Sequence, residues 1–259
     1  MSAVAVSYSV HGQDGAPVVL LSNSLGATRS MWDPQVPALA ERYRVVTYDA
    51  RGHGESPAPS GPYTLDDLTD DLVALLDEVG AQRARVAGLS LGGMTAMRLA
   101  VREPQRVDRL VLLCTSAKPD PQPFLDRAAA VRSGGTAPLA PAVAARWLTP
   151  AYAAQHPELV AKLEAMIAGA DDEGYACCCE VVAGVELVAD LARITAPTLV
   201  VAGWQDLALP PEHQQLIADS IPGAELLTVS PGAHLANLEQ PLQVTGALLG
   251  HFDAAGAAR

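Results

Sequence analysis

The sequence predicts an α/β fold: a mostly parallel central sheet with helices on both faces and an inserted helical cap. Three observations carry that expectation. Short continuous apolar runs alternate with helical patterns through residues 1–118 and again through 191–259. Between them, at 119–190, helical periodicity continues with no strand pattern, which marks the cap. Finally, Gly88-Leu89-Ser90-Leu91-Gly92 lies between an apolar run and a helical run, so a Gly-x-Ser-x-Gly turn joins strand to helix.

Residues 3–10 alternate loosely and read as an edge strand, closed by the turn His11-Gly12-Gln13-Asp14-Gly15. Pro17-Val18-Val19-Leu20-Leu21 is apolar throughout, as a strand buried on both faces must be. It delivers the polar loop Ser22-Asn23-Ser24-Leu25-Gly26. A short helix is expected over 31–43, with Pro34 and Pro37 early enough to be tolerated. Arg44-Val45-Val46-Thr47-Tyr48 is the next strand, and a charged turn over 49–56 follows, in which Asp49 and Arg51 read as an ion pair and His53 as a brace. Thr64 caps a helix over 65–79, with Asp66 and Asp67 in the first turn, an apolar stripe from Leu68 to Val79, and Gly80 past its end. Leu110-Val111-Leu112-Leu113-Cys114 is the strand after the Ser90 unit. In the cap, helices are expected at 124–132, 142–148, 157–168 and 175–187. Strands resume at 198–202 and 225–229, separated by a helix at 212–221 and followed by a closing helix at 241–252.

Composition narrows the function. The chain has 259 residues, of which 49% are hydrophobic and only 4% aromatic, with a net charge of −12. That charge argues against nucleic acid or an anionic membrane surface as a partner. No apolar run is long enough to span a membrane, and Met1-Ser2-Ala3-Val4-Ala5 lacks the basic start of a secretory leader. A cytoplasmic protein acting on a small molecule is the expectation. Three of its four cysteines, Cys177, Cys178 and Cys179, are contiguous, which suits neither a disulfide framework nor a zinc site and fits small buried hydrophobes. There is no dinucleotide-binding or P-loop motif and no metal-ligand spacing, so no cofactor is expected.

Parallel strands collect functional groups at their C-terminal edge. To lift its hydroxyl clear of the sheet, Ser90 must occupy a tight turn at positive φ, and only glycine fits two residues before and after it. A serine hydroxyl is a weak nucleophile and needs a base. Of the six histidines, His234 follows the last strand and satisfies the order Ser, acid, His that accompanies this kind of turn. Asp206, directly after the 198–202 strand, is the expected orienting carboxylate; Asp120 is the alternative position, and Asp49 lies on the wrong side of Ser90 in the chain. Leu91 N–H and Ser24 N–H are the expected oxyanion donors, the Ser24 hydroxyl being read as a loop cap. A serine nucleophile implies an acyl-enzyme, hence esters, lactones, thioesters or activated C–C bonds.

Together these residues resemble the α/β-hydrolase fold family, and within it the 3-oxoadipate enol-lactonases of aromatic-ring catabolism. The matching stretches include Leu21-Ser22-Asn23-Ser24-Leu25-Gly26, Met31-Trp32-Asp33-Pro34-Gln35, Tyr48-Asp49-Ala50-Arg51-Gly52-His53-Gly54-Glu55-Ser56, Arg146-Trp147-Leu148-Thr149-Pro150 and His234-Leu235-Ala236-Asn237-Leu238-Glu239-Gln240-Pro241. Leu91 stands where many enol-lactonases have Met, and only its backbone would matter. The resemblance implies hydrolysis of the enol-lactone ring by Ser90, His234 and Asp206. It also implies a substrate carboxylate, for which Arg132, Arg146 and Arg127 of the cap are candidate partners, with Trp147 as a pocket wall. Another serine hydrolase of the same fold (carboxylesterase, C–C hydrolase or cofactor-free perhydrolase) and a non-catalytic small-ligand binding protein are the competing readings.

Overall fold

Residues 2–254 are described by the computed structural model. Seven strands form one sheet: β1 (Tyr8–His11), β2 (Val18–Ser22), β3 (Arg44–Tyr48), β4 (Ala84–Leu89), β5 (Val107–Leu113), β6 (Thr198–Gly203) and β7 (Glu225–Val229). Their order is β1-β3-β2-β4-β5-β6-β7. β1 runs antiparallel to β3, and every other neighbouring pair is parallel. β2 is buried along its whole length, which explains its unbroken apolar run. The direction of strand progression reverses between β2 and β4, so a crevice opens beyond their C-terminal ends.

β1 is shorter than its alternation suggests. Ahead of it, side chains accept two of the backbone N–H groups: Val4 N–H donates to Asp71 Oδ1 and Ser7 N–H to Ser56 Oγ, both at 2.8 Å. The helix expected over 31–43 is also smaller. A 3₁₀ turn (Arg29–Trp32) and a short α1 (Val36–Ala40) replace it, because Pro34 and Pro37 lack the N–H groups that one continuous helix would need.

On the sheet faces lie α2 (Leu65–Glu78) and α3 (Leu91–Arg102). α2 starts with a capping box: Thr64 Oγ1 accepts from Asp67 N–H, and the Asp67 carboxylate accepts from Thr64 N–H. Between β5 and β6 come α4 (Gln122–Gly134), α5 (Ala140–Ala144), α6 (Pro150–Gln155), α7 (Pro157–Ala168) and α8 (Asp172–Ala183). α6 was not expected, although Thr149 at its N-cap and Pro150 at its first position are start signals. α8 begins earlier than its apolar pattern does, because Asp171 caps it by accepting from Gly174 N–H at 2.8 Å. α9 (Pro211–Ser220), the single-turn α10 (Ala236–Glu239) and α11 (Pro241–Asp253) complete the helices among the described residues.

The five helices of the insertion are tied to the sheet edge by backbone contacts. Leu235 N–H donates to the Trp147 carbonyl and Leu187 N–H to the Ala117 carbonyl, both at 2.8 Å. Where α8 meets the turn after β3, Gly52 and Gly174 approach so closely that a Cβ on Gly52 would stand 2.7 Å from Gly174 Cα. Cys177, Cys178 and Cys179 are buried on α8 as free thiols, and desolvation pushes their pKa values up, that of Cys179 to about 12.

The charged turn after β3 corrects one expectation. Asp49 and Arg51 do not pair. Asp49 instead accepts from Arg29, through both its backbone N–H (2.7 Å) and its guanidinium (2.9 Å). Arg51 is fully buried and makes a two-pronged contact with Asp71 of α2, 2.7 Å on each side. Each residue thus finds its partner on a distant segment, so proximity in sequence misleads.

Candidate active site

The turn between β4 and α3 holds Ser90 at φ 56° and ψ −118°, a left-handed conformation that a non-glycine residue keeps only under constraint. Three bonds constrain it. Ser90 N–H donates to the Leu113 carbonyl at 3.0 Å, and the Ser90 carbonyl accepts from Met94 N–H at 3.0 Å and from Thr115 Oγ1 at 2.7 Å. The flanking glycines are needed for space. A Cβ on Gly88 would lie 2.2 Å from the Gly92 carbonyl oxygen, and one on Gly92 would lie 2.3 Å from the Ser22 carbonyl oxygen. Leu91 N–H, at the start of α3, has no acceptor among the described residues, so it is open to an oxyanion.

The loop after β2 faces this turn. Asn23 anchors it: its carbonyl accepts from Gly92 N–H (2.9 Å), its Oδ1 accepts from Trp32 Nε1 (3.1 Å), and its Nδ2 donates to the Tyr48 carbonyl (2.6 Å). His53 braces the far end, because Gly26 N–H donates to His53 Nε2 at 2.9 Å while Nδ1 lies 3.1 Å from the Arg51 carbonyl. That pattern requires a neutral ring protonated at Nδ1, and burial lowers the His53 pKa in the same direction. Ser24 sits between these anchors. Its N–H points at the Met31 thioether sulfur, 3.4 Å away, a weak acceptor that an oxyanion could displace. Its hydroxyl does not cap the loop; it faces the base, 3.4 Å from His234 Nε2.

The structure brings His234 and Asp206 together. His234 follows β7 and Asp206 follows β6, and adjacent parallel strands deliver both to one edge. His234 Nδ1 lies 2.8 Å from Asp206 Oδ2, with both side chains almost fully buried. Asp206 Oδ1 accepts from Ala208 N–H (2.8 Å) and Leu209 N–H (3.0 Å), so the carboxylate is held on both oxygens. The Ser90 hydroxyl makes no hydrogen bond among the described residues, but Ser90 and His234 line the same cavity. Such contacts commonly tighten only when substrate is bound. Asp120 is on the cavity's outer wall, where it accepts from Gln122 N–H at 3.1 Å and does not touch His234.

That cavity has a volume of about 250 Å³. Ser24, Ser90 and His234 form its core side, and Arg127, Arg146 and Trp147 reach it from the helical insertion. Arg146 Nη2 donates to the Leu207 carbonyl, and the Arg127 guanidinium lies 5.3 Å above the Phe124 ring. Neither has a carboxylate partner among the described residues, whereas most arginines of this chain do. Trp147 is buried in the insertion and lines the cavity.

Arg132 must be removed from the candidates. It is on the solvent side of α4, where its guanidinium bonds Glu173 (2.8 Å) and Glu180 of α8, one turn of helix and more from the cavity lining. The helical phase explains the difference: Arg127 and Arg132 are five residues apart, so they point to different faces of α4. The cavity also contains His213, which the order of motifs did not single out. The signal was its place in the first turn of a helix that starts from the sheet's C-terminal edge. Among the described residues no group of His, Cys, Asp and Glu could hold a metal ion, and no helix is long and apolar enough to cross a membrane.

Comparison with known proteins identifies the family. Residues 17–241 match the family described as alpha/beta hydrolase fold. The chain is 39% identical over 239 residues to 3-oxoadipate enol-lactonase 2 of Acinetobacter baylyi, covering 92% of this chain and 89% of that protein. It is 37% identical to the enol-lactonase of Burkholderia xenovorans LB400 in its crystal structure, with a TM-score of 0.94 and 96% of each chain covered. It is also 31% identical to a protein of Stutzerimonas stutzeri named for carbamate hydrolysis, RutD, over 95% of this chain and 96% of that one.

Proposed function

The chain belongs to the α/β-hydrolase family, and from that premise we propose that it hydrolyses a carboxylated enol-lactone, 3-oxoadipate enol-lactone, to 3-oxoadipate. One observation carries the reading. A single small cavity is lined by Ser90, by His234 with Asp206 bonded behind it, and by two arginines without carboxylate partners among the described residues. The first group suits acyl chemistry, and the second suits an anionic substrate in a chain whose net charge is −12.

In this mechanism Ser90 Oγ attacks the lactone carbonyl carbon as His234 Nε2 takes its proton. Asp206 holds the ring with Nδ1–H toward itself and stabilises the imidazolium. Leu91 N–H and Ser24 N–H receive the oxyanion, the latter leaving the Met31 sulfur. Collapse breaks the acyl C–O bond of the ring. The enolate expelled takes the proton held by His234 and becomes a ketone, which makes it a good leaving group and leaves His234 neutral. The acyl-enzyme still carries the carboxylated chain, held by Arg127 or Arg146. His234 then takes a proton from water, the hydroxide attacks the acyl carbon, and Ser90 leaves with the proton returned by His234.

A second reading has one specific support, the 31% identity to the protein named for carbamate hydrolysis. The same serine machinery would open a carbamate, but that substrate class gives Arg127 and Arg146 a smaller anion to hold. The deciding experiment compares kcat/KM for the enol-lactone, a neutral aryl ester of similar size, and a simple carbamate. The proposal expects the lactone to exceed the ester by about 10³-fold or more, a difference large enough to reflect transition-state binding. Equal low rates on lactone and ester would sink it, and carbamate turnover above both would favour the second reading.

A further inference from the structure

His213 carries a role that the triad does not use. It stands in the first turn of α9, half-buried, and lines the same cavity as Ser90 and His234. Its Nδ1 lies 2.9 Å from Ser116 Oγ. Ser116 is fully buried just after β5, and Lys118 N–H donates to the same oxygen at 3.0 Å. A hydroxyl has one proton to give and two lone pairs. With Lys118 N–H occupying one lone pair, the Ser116 proton has His213 Nδ1 as its one acceptor within reach among the described residues. Any other arrangement strands a buried O–H without an acceptor, which folded proteins avoid.

We infer that Lys118 N–H and Ser116 lock the neutral His213 ring with its proton on Nε2, and that this N–H is a fixed donor to an oxygen of the substrate's carboxylate-bearing arm. The inference rests on the proposed anionic substrate and adds a specificity-determining residue to it. His234 cannot take this part. Its Nδ1 is committed to Asp206, and its Nε2 must be free to accept the Ser90 proton. The two cavity histidines therefore have opposite tautomers: His234 presents an acceptor, and His213 presents a donor. A donor that cannot be an acceptor suits a carboxylate or a ketone and rejects a hydroxyl proton. Arg127 and Arg146 supply charge from the insertion, while His213 supplies direction from the core side.

Two measurements test this. The first needs no turnover: nitrogen-15 chemical shifts of the histidine side chains in the full-length protein at neutral pH. His213 should show an unprotonated Nδ1 and a protonated Nε2, and Ser116→Ala should erase that preference. An Nδ1-protonated His213 in the unaltered protein would overturn the inference. The second is the ratio of kcat/KM on the carboxylated lactone to that on a neutral aryl ester. His213→Phe should lower the ratio by about tenfold, the loss of one hydrogen bond to a charged group, mostly through KM. His213→Gln, whose amide still donates, should recover most of it. A ratio unmoved by His213→Phe in an active lactonase would overturn the role of His213 and leave the proposed function standing. An unaltered enzyme with no lactone preference would instead overturn the proposed function.

Discussion

The sheet's C-terminal edge and the α4–α8 insertion meet at one cavity, but they are built by different rules. At the edge almost every polar group is buried and matched. Asp206 has three donors, Asn23 spends its carbonyl and both ends of its amide, and the Ser90 turn is pinned from both sides. In the insertion the charged groups pair on the outer surface, as Arg132 does with Glu173 and Glu180, and those facing the cavity are left with carbonyl or ring partners. A buried polar group must be satisfied to persist, so the edge tolerates little change. An arginine at a half-open wall can keep hydrogen-bonding capacity in reserve for a ligand. Under the proposed function, the edge would carry the chemistry and the insertion would select what receives it.

The sharpest way to break the comparison is at Ser90. Ser90→Ala and His234→Ala should each lower kcat by roughly 10⁴-fold or more, and the double variant should lose little beyond either single one, because the residues act as a unit. Near-full activity in Ser90→Ala would place the chemistry elsewhere. Next comes the packing of the edge. Gly92→Ala forces a methyl toward the Ser22 carbonyl, where the ideal contact is 2.3 Å, and should destabilise the fold by about 3 kcal/mol. A denaturant melt would show that loss as a lower midpoint, and an unchanged midpoint would mean that the turn is looser than described.

His53 gives a smaller effect with a pH signature. His53→Ala leaves Gly26 N–H without its acceptor and should cost about 2 kcal/mol. Burial lowers the folded-state pKa of His53 below the ordinary 6.5. The neutral ring's contribution is therefore fully present above about 6.5 and is lost as pH falls through the folded value, since the unfolded chain binds the proton first. Melting curves from neutral to acidic pH should show a slope that His53→Ala flattens; equal slopes would remove His53 from the account. The smallest effect belongs to the insertion's surface. Arg132→Ala breaks exposed ion pairs and should shift stability by less than about 1 kcal/mol without moving KM. Arg146→Ala should raise KM for the carboxylated lactone about tenfold and spare a neutral ester. If both variants raised KM alike, the division between outer and inner arginines would fail.

Much of the fold was legible because its signals are local. Strands buried on both faces write themselves as apolar runs, as at Val18–Ser22, and Thr64 with Asp67 announces the start of α2. Ser90, Asp206 and His234 could be nominated because each follows a strand pattern, and parallel strands end on one side. The insertion was harder to read. α6 and α8 start from side-chain caps rather than from apolar stripes, so α6 went unseen and α8 was placed too late, while α5 is only five residues long and was misplaced. Asp49 and Arg51 misled for a related reason: each finds its partner on a distant segment, Arg29 for Asp49 and Asp71 for Arg51.

By itself the sequence determined the seven strands and the strained serine turn, and it nominated a set of groups for acyl chemistry. Each of these rests on steric or hydrogen-bonding rules that act over a few residues. Only the tertiary structure decided which arginines face the cavity, that the Ser24 hydroxyl turns to His234, and that Ser116 reaches His213 across 97 positions of chain. Those outcomes depend on the rotation of whole helices and on which buried proton finds which acceptor, and neither is written in any one segment.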